Sequence, residues 1–213
     1  MTKETGSIIF EDREDAGKQL GNFLKERYRH LDPLVLGVPR GGAVVAHHVA
    51  KSLGTEAEVI ISKKLPLPGN AEIGFGAIAE DLSVYIATRY PLNLKPETIC
   101  EIIDRQTDEV NRRIHDYRGG RSLPDMKDRT VIIVDDGIAT GVTLIPLLRL
   151  CRKKGASRIV VAAPVGGRNY DPNLNEADNL EILVFPEWFY AVGQVYAFFK
   201  DLSDKDMERI LSQ

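Results

Sequence analysis

The chain has 213 residues, a length that suits one domain with a substantial buried core. Its 28 Lys+Arg against 31 Asp+Glu leave a net charge of −3, so no basic field exists to attract nucleic acid and DNA binding is not expected. No apolar run reaches membrane-span length, and MTKETGSIIF lacks the basic-then-apolar order of a secretory signal; the expectation is a cytoplasmic protein with two reduced, structural thiols, Cys100 and Cys151.

In chain order, Ile8-Ile9-Phe10 predicts a short strand. Asp12 then caps a helix whose apolar positions are Ala16, Leu20, Phe23, Leu24 and Tyr28. Leu34 to Val38 reads as a buried strand, broken by Pro39-Arg40-Gly41-Gly42. A helix over 43–53 follows and stops at Gly54. Val59-Ile60-Ile61 predicts a second strand, the Gly- and Pro-rich stretch 64–76 a mobile loop or hairpin, and Ser83 to Ala87 another strand. Pro96 suits a helix start; Ile99, Ile102, Ile103, Val110, Ile114 and Tyr117 carry the helical period to Gly119-Gly120. Strand 130–134, helix 143–154, strands 158–163 and 181–185, and a helix capped by Ser203 with Met207, Ile210 and Leu211 complete the chain. This alternation predicts an α/β fold with a mainly parallel central sheet flanked by helices, in one domain over 1–213.

In open parallel sheets, ligands bind beyond the carboxyl ends of strands. The richest such end is VIIVDDGIATGVT, 131–143. Gly137 and Gly141 permit a tight turn through Ile138 and Ala139 whose amides converge. With a helix start and the hydroxyls of Thr140 and Thr143, that loop suits a phosphate dianion. Asp135 and Asp136 would repel a phosphate, so they need a purpose. They can accept hydrogen bonds from a sugar diol, hold Mg²⁺ directly or through water, and stabilise positive charge at an anomeric carbon. In GVPRGG, 37–42, Gly41 and Gly42 allow close backbone approach and Arg40 offers a fork for two phosphate oxygens. Lys63 and Lys64 are candidate anion ligands, with Lys63 preferred; Glu72 and Glu80 are weak acid/base candidates. His47 and His48, adjacent on a helix, face different ways and are read as structural. Tyr117-Arg118-Gly119-Gly120-Arg121 reads as favourable charge at a helix C-terminus, or as a wall of the 64–76 region.

The strand–DDGIATGVT–helix pattern resembles the ribose-phosphate signature of the type I phosphoribosyltransferases, which use phosphoribosyl pyrophosphate (PRPP). LGVPRGG, KLPLPGNAEIGFGAIAED, YRGGR and FPEWFYAVGQVY extend the resemblance over roughly residues 8–212, to a subgroup named for the transferase family alone. The resemblance implies a pyrophosphate loop at 37–42 with a cis Pro39–Arg40 peptide, and a mobile loop at about 64–76 that closes over pyrophosphate. It also implies a small hood, from the N-terminal segment and about 164–200, over the acceptor. Phe189 is the stacking candidate there. It further implies Mg²⁺ as cofactor and a homodimer. Asp135, Asp136, Arg40 and Lys63 then carry the chemistry, while Gly137 to Gly141, Thr143, Gly41 and Gly42 hold substrate. Two departures bear on the acceptor. Ala139 stands where many 6-oxopurine enzymes carry an Asp, and APVGGRN, 163–169, has no lysine for an oxo group, leaving Arg168 as a substitute.

Two functions fit these residues. One is transfer of phosphoribosyl from PRPP to a nucleobase-like nitrogen acceptor with release of pyrophosphate. The other is a PRPP- or nucleotide-binding regulator using the same pocket without turnover. PRPP synthesis would need an ATP site and a longer chain.

Overall fold

The structure, a computed structural model, describes residues 8–87 and 93–212, with only the backbone at 71 and 72. Five strands form a parallel sheet: β1 (Leu34–Gly37), β2 (Ala57–Val59), β6 (Thr130–Val134), β7 (Arg158–Val165) and β8 (Asn179–Val184), in the order β2-β1-β6-β7-β8. Both faces are covered, which is why these strands read as continuous apolar runs rather than alternating ones. The pleat sorts their side chains. Val35, Ile132, Val134, Val160 and Ala162 pack on one side beneath helices α1 (Arg13–Tyr28) and α2 (Gly41–Leu53). Leu34, Leu36, Ile133, Val161 and Ala163 pack on the other against α4 (Ile145–Lys153).

Between β2 and β6 the chain builds a second, antiparallel sheet of β3 (Ser62–Leu67), β4 (Asn70–Ala79) and β5 (Val84–Ile86), followed by the long helix α3 (Pro96–Arg118). Residues 64–76 thus form most of a β-hairpin, with the register slipping around Pro66. Proline cannot donate to a ladder, so a slip there is the expected accommodation. Ile61, Leu65, Phe75 and Ile78 pack with Ile102, Val110 and Tyr117 of α3 and with Met207 of the last helix, α5 (Asp204–Leu211).

Several expectations need correction. Phe23 is exposed, its ring covered by the Arg27 guanidinium at 4.6 Å, because α1 turns only its Leu20, Leu24 and Tyr28 face to the sheet. The strand expected at 59–61 splits: β2 ends at Val59, and after Ile60-Ile61 the chain joins the other sheet at Ser62. Residues 8–10 form no strand; Phe10 makes one parallel bridge to Tyr196. Cys100 is exposed on α3, whereas burial pushes the Cys151 thiol up to about 12.

α1 and α2 cross in close contact because Gly17 and Gly21 carry no Cβ. A methyl at Gly21 would lie 2.5 Å from the Ser52 hydroxyl, and one at Gly17 would lie 2.9 Å from the Val45 carbonyl oxygen. This contact sets α1 against α2, with its N-terminus over the carboxyl ends of β1 and β6.

Candidate functional site

From β1 the chain runs outward through α2 to β2; from β6 it runs the opposite way to β7 and β8. The strand order therefore reverses between β1 and β6, and the loops after these two strands diverge to leave a crevice. The Val38 amide donates to the Val134 carbonyl at 2.9 Å, which binds the two loop bases together. The sequence-predicted loops 37–42 and 135–143 are thus brought side by side, although they lie almost a hundred residues apart.

Asp135 and Asp136 stand at the end of β6. The Asp136 amide donates to the Asp135 carboxylate at 2.8 Å, and the start of α2 presses against both acids. A methyl on Gly42 would sit 2.6 Å from the Val134 carbonyl oxygen, and one on Gly41 would overlap the Asp136 carboxylate. Both glycines are therefore required for the approach of the two loops. Burial, reinforced by the neighbouring Asp136 charge, pushes the Asp135 carboxyl well above the usual range.

Beyond the acids the chain turns through Gly137 to Thr143. Ile138 is an anchor: its side chain is buried, its amide donates to Val165 and its carbonyl accepts from Gly167. Gly141 has φ +72°, in the left-handed region. Among the described residues the amides from Ala139 to Thr143 have no protein acceptor, and Ala139 and Thr140 are exposed. This cluster of open N–H groups, just before the N-terminus of α4, has the character of an anion nest.

A cavity of about 360 Å³ joins these loops, with Arg40, Lys63, Arg113, Asp135, Asp136 and Thr143 among its lining residues. The Pro39–Arg40 peptide is cis. Burial, then the nearby Arg113 charge, pushes the Lys63 ammonium below its usual range; Glu109, 3.6 Å away, opposes this. Glu109 is itself held down to about 2, chiefly by hydrogen bonds from Arg112 and then Arg113. One end of the cavity is thus cationic and the other carries the two acids. Among the described residues no three His, Cys, Asp or Glu side chains cluster to hold a metal alone. The acid pair suits Mg²⁺, which accepts few protein carboxylates when ligand phosphates complete its oxygen shell.

Lys64 and Thr143 also line a second cavity of about 480 Å³, whose walls include Ile73, Ala87, Ala139, Val142, Tyr190 and Val192. The two spaces form one cleft, cationic at one end and largely apolar at the other. Phe189 is not in that wall. It is half-buried, packs in the cluster of Phe10, Val165 and Tyr196, and covers Gly167. Tyr190, 85 % exposed, is the aromatic residue that reaches the cleft. Arg168 stacks on Phe185, 5.6 Å away, and lines neither space. A larger groove of about 850 Å³ between α2, β2 and α5 includes His47 and contains neither acid.

A family model described as the phosphoribosyl transferase domain matches residues 10–197, which include both loops and all five strands of the parallel sheet. This chain belongs to the phosphoribosyl transferase domain family. It is 36 % identical over 209 residues to "Putative phosphoribosyl transferase Rv0571c" of Mycobacterium tuberculosis H37Rv, a match covering 96 % of this chain and 47 % of that protein; the chain spans about half the length of the curated relatives it matches. The crystal structure of TT1426 from Thermus thermophilus shares 36 % identity and a TM-score of 0.78, over 95 % of this chain and 97 % of that one. A shorter likeness, 38 % identity over 61 residues and 29 % of each protein, links it to "Transcriptional regulator GfcR" of Methanosphaera stadtmanae.

Within this phosphoribosyl transferase domain, several residues depart from their sequence-based roles or carried no signal. Glu80, an acid/base candidate, has a largely enclosed side chain in a bidentate pair with Arg118 at 2.7 and 2.9 Å, so it is structural. Arg118 is accordingly a buried tie between α3 and β4, not a charge at an open helix end. The Glu72 side chain lies outside the described residues. Arg13 reaches Asp136 from α1, and Ser62 and Arg113 line the cationic cavity; Arg13 and Arg113 belong to no motif, and Ser62 opens the 62–81 segment without a role assigned to it. The Ser62 hydroxyl is buried without a hydrogen-bond partner among the described residues. Leaving such a group unsatisfied costs about 1–3 kcal/mol. Ser62→Ala is therefore expected to raise stability by about 1 kcal/mol, read as a higher urea midpoint with an unchanged m-value.

Proposed function

We propose that this chain catalyses Mg²⁺-dependent transfer of the phosphoribosyl group from PRPP to a nucleobase-like nitrogen acceptor, releasing pyrophosphate. The observation that supports it most is the convergence of the Arg40 loop, the acid pair and the open amides of 139–143 on one cleft. In this reading the amides, with Thr140, Gly141 and Thr143, hold the 5-phosphate. Asp135 and Asp136 accept the ribose hydroxyls and favour positive charge at the anomeric carbon. Arg40, Gly41, Gly42 and Lys63 hold the departing pyrophosphate. The C–O bond breaks with its electron pair going to pyrophosphate, and the acceptor nitrogen lone pair forms the new C–N bond. Mg²⁺, when bound, would neutralise charge on the pyrophosphate oxygens. Catalysis rests on positioning and fixed charge.

The hairpin over 64–76 closes the cationic end against water, which would otherwise capture the sugar cation. The segment 164–200, with residues 8–12, forms the hood beside the apolar end. Tyr190, rather than Phe189, is the better placed ring for a planar acceptor. Assembly as a homodimer in the cytoplasm completes the reading.

The rival, a PRPP-binding regulator without turnover, draws on the 61-residue likeness to a protein named as a transcriptional regulator. A screen of purine, pyrimidine and other nitrogen acceptors with PRPP and Mg²⁺, following pyrophosphate release, separates the two. Acceptor-dependent release is expected. Saturable PRPP binding with no release across the panel would favour the regulator, and absence of PRPP binding would reject both.

A further inference from the structure

Two adjacent carboxylates beside a site for phosphates raise an electrostatic problem, and a residue far away in sequence addresses it. Arg13, the first residue of α1, donates from Nε to the Asp136 carboxylate at 2.7 Å. The pair is mostly buried, with 12 % and 15 % of the two side chains exposed. Such a charge-assisted hydrogen bond fixes geometry and cancels charge far more effectively than a solvated surface pair.

Arg13 is itself held on two further sides. Its Nη1 donates to the Lys200 carbonyl at 2.9 Å, and its guanidinium carbon lies 3.8 Å from the centre of the Phe199 ring. Phe199 packs on Tyr196 at 4.9 Å, and the Tyr196 hydroxyl donates to the Asp136 backbone carbonyl at 2.6 Å. The Asp136 carboxylate oxygen that accepts from Arg13 also meets Gly41, and a methyl on Gly41 would lie 2.7 Å from Arg13 Nε as well. The carboxylate, the guanidinium and the start of α2 thus meet at one point, and the Asp136 backbone is tied to the 196–200 segment. Asp136 nevertheless lines the cationic cavity, so the clamp leaves it facing the ligand space.

We propose that Arg13 is a positioning residue of the acid pair: it fixes the Asp136 carboxylate in the orientation that the ribose meets and offsets part of its repulsion of the phosphates. The proposal rests on the PRPP reading above. It makes the ribose end of the cleft dependent on α1 and on the 196–200 segment, while the pyrophosphate end depends on Arg40 and Lys63.

Calorimetric titration of PRPP and, separately, of inorganic pyrophosphate, both with Mg²⁺, tests this on the wild type, Arg13→Gln and Arg13→Lys. Loss of a charge-assisted hydrogen bond predicts PRPP binding about tenfold weaker for Arg13→Gln. Pyrophosphate affinity should stay within twofold of wild type, and Arg13→Lys, which restores the charge, should recover part of the PRPP loss. PRPP affinity unchanged in Arg13→Gln overturns the proposal. So does an equal loss of both ligands, which would mark Arg13 as merely structural. Failure of the wild type to bind PRPP would sink the PRPP reading and the proposal together, whereas normal wild-type binding with an indifferent Arg13→Gln sinks the proposal alone.

Discussion

Asp135→Asn should remove pyrophosphate release by about 100-fold or more while making the protein more stable at neutral pH, not less. The two halves of this result share one cause. Asp135 sits at the end of a buried strand, with α2 pressed on it and a second carboxylate beside it. Burial, then the Asp136 charge, raises its pKa well above the ordinary carboxylate value, so its ionised form is costly to the fold. The sign follows from proton linkage. For an acid with a raised folded-state pKa, the favourable contribution is present below the unfolded pKa, about 3.9, and is lost as pH rises through the folded value. Wild-type stability therefore carries a declining component over that window, which Asn lacks. Asn also keeps an oxygen to accept the Asp136 amide. The measurement is thermal unfolding of both proteins from pH 4 to pH 8 beside the release assay. A variant less stable than wild type at neutral pH would show that the carboxylate is structural; full activity would remove it from the proposed chemistry.

This opposition between stability and chemistry also bears on what the sequence discloses. β6 and the long α3 were legible to the residue or nearly so. A run of β-formers ending in two acids has one reading, and Pro96 and Gly119 punctuate an unbroken helical period. The loops 37–42 and 135–143 were legible because their chemistry is local: glycines, hydroxyls and charges within a few residues of a strand end. β3 and β4 were blurred because Pro66, Gly74 and Gly76 are turn residues by propensity, like Pro68-Gly69 that do form the turn, and only pairing across the hairpin and packing on α3 override them. Arg13 left no trace at all. Next to Asp12, it reads as an ordinary charge in the first turn of a helix, and its partner lies 123 residues away. The aromatic segment is visible in the sequence as a cluster, but which ring faces in is not. Phe189 turns inward and Tyr190 outward, and the cluster that Phe189 joins includes Phe10 from the far end of the chain.

Arg118→Met should cost about 3–5 kcal/mol, a fall in Tm on the order of 6–20 °C for a chain of this size. Arg118 and Glu80 have side chains only 1 % and 8 % exposed, and they pair through two short hydrogen bonds. Each also serves the backbone: Glu80 accepts the Ile61 amide at 2.9 Å, and Arg118 donates to the Val59 carbonyl at 2.9 Å and the Arg121 carbonyl at 3.1 Å. Glu80, Arg118, the Ile61 amide and the Val59 carbonyl meet where the chain leaves the parallel sheet for the hairpin, so the pair closes a gap that no strand ladder spans. Removing the arginine strands a buried carboxylate, which is far worse than never having had the pair. Glu80→Gln combined with Arg118→Met should therefore recover much of the loss, since no buried charge remains and the amide can still accept from Ile61. Urea unfolding of the two single variants and the double variant measures this coupling; additive losses would mean that the two side chains act independently. The defect should also reach the ligand. Ser62 and Lys63 follow directly on the bonded Ile61, so a loosened junction displaces the ammonium from the cationic cavity. Pyrophosphate affinity should fall in Arg118→Met at a temperature where the protein is still folded, and return in the double variant together with stability.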